Sequence, residues 1–91
     1  MRLLLVEDDA ALSRQLKDEL VKCGFAVDIV NNGIDAEFMG DEEPYDVIIL
    51  DLGLPGRPGL EVLKNWRSTS IMREHELFLS ITHRIFNGYE L

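Results

Sequence analysis

The chain has 91 residues, 46% of them hydrophobic, and a formal net charge of -8, which suits one small soluble domain with a single core and no second module. The acidic balance argues against direct nucleic-acid contact, since phosphates need clustered Lys and Arg, and no apolar run nears the roughly 18 residues of a membrane span. The N-terminus enters an apolar run without a basic region and cleavage site, and the single cysteine, Cys23, permits no internal disulfide, so secretion is not expected and a reducing cytoplasm is the natural compartment.

In chain order, Leu3-Leu4-Leu5-Val6 suits a strand buried on both faces and leads straight into Glu7-Asp8-Asp9. Asp9 can cap a helix from about Ala10 to Cys23, with Leu12, Leu16, Leu20 and Cys23 on its apolar stripe and Gly24 as its stop. That position predicts a buried structural Cys23 rather than a functional thiol. From Phe25 to Val30 the residues Phe25, Val27 and Ile29 alternate with Ala26 and Asp28, as in an edge strand with one less buried face. Asn31-Asn32-Gly33 signals a turn and cap before a short helix through about Met39, with Ile34 and Phe38 on its inner face and Gly40 at its end. Between Gly40 and Pro44, Asp41-Glu42-Glu43 reads as a solvated loop rather than an acidic binding patch.

Tyr45 and Asp46 then lead into Val47-Ile48-Ile49-Leu50-Asp51, a second continuous apolar run ending in a carboxylate. The carboxyl ends of parallel strands are where open α/β sheets place their ligand sites. Pro55 and Pro58 stiffen the loop that follows, while Gly53, Gly56 and Gly59 let its backbone turn tightly. A helix from Pro58 to about Arg67 offers Leu60, Val62, Leu63 and Trp66 as an apolar face, with Trp66 in the core. Strand and helix alternating in this way predict parallel strands joined by right-handed crossovers. From Ser68 the pattern changes: Leu77 to Thr82 reads as a fourth strand, Ile71, Phe78, Ile81 and Ile85 as one helical stripe, and spacing does not choose between them.

Two neighbouring strand ends would bring Glu7, Asp8 and Asp51 within a few ångströms of one another. Like charges about 4 Å apart repel by on the order of 4 kcal/mol at a surface-like dielectric, so a raised carboxyl pKa, a nearby Lys or Arg, or a divalent cation must compensate. Oxygen ligands with open positions suit Mg²⁺. Cys23 falls on a helix, and His75 and His83 lie in the ambiguous tail, where a structural or solvent-exposed role is the simpler reading. A carboxylate beside Mg²⁺ can attack phosphorus and become an aspartyl phosphate; Asp51, alone at its strand end, is the candidate nucleophile, with Glu7 and Asp8 holding the metal. The bland alternative is that these acids only cap helices and turns. No nucleophilic triad is evident, and no Gly-Lys-Ser or Gly-Lys-Thr follows the first strand. A Mg²⁺-dependent phosphatase would need an Asp-x-Asp pattern, and Asp51-Leu52-Gly53 lacks its second acid.

Leu4-Leu5-Val6-Glu7-Asp8-Asp9 resembles the first strand and acidic pair of the receiver domain of two-component response regulators, and Tyr45 to Gly56 resembles its phosphorylation segment. The likeness is strongest to receivers that precede a winged-helix DNA-binding domain in bacterial transcription factors. It covers residues 1–67 as a (βα)3 portion and leaves 68–91 as an atypical tail. It implies a truncated flavodoxin-like, doubly wound parallel α/β sheet with strand order 2-1-3 and room for an extra strand from the tail. It also implies that a sensor histidine kinase phosphorylates Asp51, and that Glu7, Asp8, Asp51 and the Gly53 backbone carbonyl coordinate Mg²⁺. Such a domain is a self-phosphorylating switch rather than a turnover enzyme, normally controlling transcription through a DNA-binding domain absent from this segment.

The family also sets a fifth-strand Lys against the phosphoryl group, whereas Lys17, Lys22 and Lys64 fall in or near predicted helices, so that role is assigned to no residue here. Thr82 is the candidate for the family's switch threonine. A second function is thus a truncated, phosphorylation-incompetent fragment acting only as an interaction or dimerisation module. An early stop would leave Val47 to Leu50 as an open apolar edge, so the tail is expected to cover it, or two chains to share it in a homodimer or domain-swapped dimer.

Overall fold

The structure, a computed structural model, describes residues 1–68 and 76–80. Its elements are β1 (Arg2–Val6), α1 (Ala10–Lys22), β2 (Ala26–Val30), α2 (Gly33–Glu42), β3 (Val47–Asp51), α3 (Gly59–Ser68) and β4 (Glu76–Ser80). The strands form one parallel sheet in the order β2-β1-β3-β4, so the expected 2-1-3 arrangement holds and β2 lies at an edge.

Side chains alternate across a strand, and here the alternation divides the core in two. Leu4, Val6, Ile48 and Leu50 face α2 and α3, packing with Ala36, Val62, Leu63 and Trp66. Leu3, Leu5, Val27 and Val47 face the opposite side, toward Leu16 and Leu20 of α1. The helix starts are those their caps predict: Asp9 Oδ1 accepts the Leu12 N–H at 3.0 Å, and Asn32 Oδ1 accepts that of Asp35 at 2.8 Å.

Several local expectations are corrected. Helix α1 ends at Lys22, and Cys23 is its C-cap, with its N–H on the Glu19 and Leu20 carbonyls. Lying past the last turn that packs on the sheet, Cys23 is exposed rather than buried. Helix α2 does not stop at Gly40 but runs to Glu42, so Asp41 and Glu42 form its last turn and Glu43 its C-cap instead of a loop. Its inner face is Gly33, Ala36 and Gly40, while Ile34 and Phe38 turn outward, 54% and 62% exposed.

The cause is Trp66, which is fully buried. A Cβ at Gly40 would stand 2.6 Å from the indole Cε2, so the bulk of the ring requires the smooth side of α2. In α3, Val62, Leu63 and Trp66 point inward as expected, but Leu60 is exposed; two residues before Val62, it lies about 200° away around the helix.

Strand β4 answers the open question about the tail for residues 76–80. It pairs with β3 in parallel, Ile48 opposite Leu77 and Asp51 opposite Ser80. The β3 edge is therefore covered from within the same chain, without a second copy. Ile71, His75, Ile81, Thr82, His83 and Ile85 lie outside the described residues.

Candidate functional site

Parallel pairing sets Val6 opposite Leu50, so the residues that follow, Glu7 and Asp51, leave the sheet side by side at its carboxyl end. Glu7 is 3% exposed, Asp51 fully buried and Asp8 half-buried. One carboxylate oxygen from each of the three lies within 4.8 Å of the others. Asp51 Oδ1 accepts the Gly53 N–H at 2.8 Å, and Glu7 Oε1 accepts the Asp9 N–H at 3.1 Å. Among the described residues, Asp8 Oδ1 and Asp51 Oδ2 are buried without a hydrogen-bond partner.

Burial pushes the Glu7 carboxyl up to about 7, and Asp51 and Asp8 add to the rise against the lowering effect of the Asp9 N–H. Burial raises Asp51 too, opposed by the Gly53 N–H and by Glu7 and reinforced by the charge of Asp8. Carboxylates cannot donate to one another, so a hydrogen bond among these acids requires one of them to hold a proton. The other remedy is a cation. Among the described residues the ion pairs are elsewhere, on Arg2, Lys22 and Arg57. Buried acceptor oxygens without donors, in an all-oxygen set, fit a hard divalent ion.

The Gly53 amide is thus tied to Asp51, which keeps that residue at the acid cluster. Lys17 lies on α1 and Lys64 on α3, with Lys22 at the α1 end, all solvent-exposed. Thr82, the candidate switch residue, lies outside the described residues.

A second group of polar residues escaped the sequence reading. Glu37 Oε2 accepts hydrogen bonds from Arg57 Nη1 and, at 3.0 Å, from Asn65 Nδ2. Burial opposes ionisation of Glu37, but these donors hold its carboxyl below the usual range. The Gly33 N–H donates to the Pro55 carbonyl at 3.1 Å, and a Cβ on Gly33 would collide with the Arg57 carbonyl. The partners are 20 and 28 residues apart, and no local spacing rule joins them.

A parallel sheet in the order 2-1-3, carrying three carboxylates where β1 and β3 end, defines the CheY-like, flavodoxin-like class of α/β fold. The chain belongs to the response regulator receiver domain family, which it matches over residues 3–86, beyond the stretch that carries the visible motifs. It is 47% identical over 68 residues to the transcriptional regulatory protein QseB of Haemophilus influenzae, a match covering 75% of this chain and 31% of that protein. The chain thus spans about a third of the length of the curated relatives it matches.

Among solved structures, a chain in the crystal structure of histidine kinase ThkA in complex with response regulator protein TrrA has a TM-score of 0.80 at 30% identity, covering 97% of this chain and 74% of that one. The receiver domain of a sensor histidine kinase from Pseudomonas aeruginosa, solved with a magnesium ion coordinated in its active site cleft, has a TM-score of 0.85 at 24% identity, over 94% of this chain and 70% of that one. At that identity the likeness is one of fold.

Proposed function

We propose that this receiver accepts a phosphoryl group on Asp51 from a sensor histidine kinase, and that Glu7, Asp8, Asp51 and the Gly53 carbonyl hold Mg²⁺ for that step. The observation that carries the reading is the cluster of three acids within 4.8 Å in which two buried oxygens lack a partner among the described residues. The magnesium named in the P. aeruginosa receiver and the kinase–regulator pairing of ThkA with TrrA support it by analogy. When bound, Mg²⁺ offsets the negative charge gathered between the carboxylates and the incoming phosphoryl group.

The chain's own residues do the rest. Asp51 supplies the nucleophilic oxygen, with the Gly53 N–H orienting its carboxylate at 2.8 Å. Its bond to phosphorus forms as the phosphorus–nitrogen bond of the donor breaks. Burial of Glu7 and Asp51 limits competing water. The domain then acts as a switch rather than a turnover enzyme, and its output is control of transcription, as the name of the transcriptional regulatory protein QseB suggests.

A second reading is a receiver that no longer takes phosphate and acts by pairing with an intact regulator or kinase. It is favoured by the placement of Lys17, Lys22 and Lys64 along the helices. Incubation with Mg²⁺ and acetyl phosphate separates the two. The first reading expects a base-labile phosphoryl adduct that Asp51→Asn abolishes. A chain that stays unmodified with Mg²⁺ in excess would overturn phosphate acceptance and leave the family assignment standing.

A further inference from the structure

The loop between Asp51 and α3 contains Gly53, and its two ends are fixed to the sheet side of the molecule. The Gly53 N–H donates to Asp51 Oδ1 at 2.8 Å, and the Gly59 N–H to the Leu52 carbonyl at 3.2 Å. Its far side is held by α2 instead. Pro55 accepts the Gly33 N–H, Gly33 lies directly against the Arg57 carbonyl, and the Arg57 guanidinium bonds the Glu37 carboxylate. Glu37 is itself anchored, since Asn65 donates to its carboxylate and the Trp66 indole N–H to its backbone carbonyl at 3.3 Å. The Arg57 and Glu37 side chains are 34% and 21% exposed, well short of a pair waving in solvent.

A loop with glycine at positions 53, 56 and 59 has much conformational freedom to lose, and Gly56 uses it, at a φ of 79°. Left untethered, such a loop would have to be ordered each time its carbonyl met a cation, at a cost in affinity. We propose that Glu37 and Arg57 are positioning residues of the acid site: their clamp between α2 and the loop sets where the Gly53 carbonyl stands relative to Glu7, Asp8 and Asp51, and thereby strengthens Mg²⁺ binding. The inference rests on the reading of that cluster as a Mg²⁺ site. Neither residue touches the metal in this account; both act through the loop.

The test is calorimetric titration of the 91-residue chain with Mg²⁺, for the parent and for Glu37→Gln, Arg57→Gln and Arg57→Lys. Charge alone would move the two glutamine variants in opposite directions, because one removes a negative charge and the other a positive one. Loss of the clamp moves both the same way. About tenfold weaker binding is expected for each, the scale of lost outer-shell support at metal sites, with Arg57→Lys closer to the parent because it keeps a cation for Glu37. Faster amide exchange at Gly53 in metal-free Glu37→Gln is expected alongside.

Met39→Ala is the control for a purely structural effect, since Met39 packs against the same core from α2; it lowers the thermal midpoint and leaves Mg²⁺ affinity unchanged. Opposite shifts in the two glutamine variants, unchanged affinity in both, or an equal loss in Met39→Ala would each overturn the proposal. A parent chain that binds no Mg²⁺ would instead overturn the reading of the site itself, and the clamp's role with it.

Discussion

Glu7 is the acid whose protonation the fold disturbs most visibly, and the disturbance has a definite sign. Its ordinary value of 4.5 rises to about 7 in the folded chain, chiefly through burial, so the folded state keeps a proton that the unfolded chain releases. Ionisation between those two values therefore opposes folding, by on the order of 3 kcal/mol once complete. In EDTA, the urea midpoint is expected to fall as pH rises from about 4.5 to 7, and to fall less in Glu7→Gln. Proton and cation compete for the same oxygens, so Mg²⁺ is expected to raise the thermal midpoint clearly at pH 8 and barely at pH 5. A metal increment independent of pH would count against Glu7 as a ligand. The acids were legible before the fold because each ends an apolar run at a strand exit. The Glu37, Arg57 and Asn65 group was not, because its members meet only once α2 and α3 are packed.

At the scale of elements, the contact of α2 with α3 shows where pattern reading fails and why. A helical period selects the large apolar residues Ile34 and Phe38 as the inner face, yet the structure buries Ala36 and Gly40. The face of a helix is chosen jointly with its neighbour, and the neighbour here presents an indole that leaves no room for a side chain at position 40. Gly40→Ala would gain about 1 kcal/mol of helix propensity but meet a rigid ring at 2.6 Å, and overpacking of that kind costs about 1–3 kcal/mol. A lower urea midpoint is the expected result, and a higher one would show that Trp66 can shift. Ile34→Ala and Phe38→Ala should each stay within about 0.5 kcal/mol of the parent, as solvent-facing changes do, where a core position would lose several. Caps, by contrast, are local chemistry, and Asp9 and Asn32 were readable from their own few residues.

Over the whole molecule, parallel strands joined by right-handed crossovers follow from the alternation of short apolar runs with helical stripes, while the order 2-1-3 comes from the family resemblance of residues 1–67 and holds in the structure. The role of residues 76–80 could not be read in advance, because whether they extend as a strand depends on β3, which lies far earlier in the chain, offering an edge. Ending the chain after Ser68 would remove β4 and expose that edge, so light scattering is expected to report oligomers or aggregates where the 91-residue chain scatters less. The two sides of the sheet also differ in a way that can be used at the bench. Trp66 is the only tryptophan, and it is buried wholly in the α2 and α3 layer, with its indole N–H on a carbonyl of α2. Its emission watches that half of the core and is blind to the α1 half, whereas circular dichroism sees both. Any gap between the two signals on denaturation would therefore identify which layer lets go first.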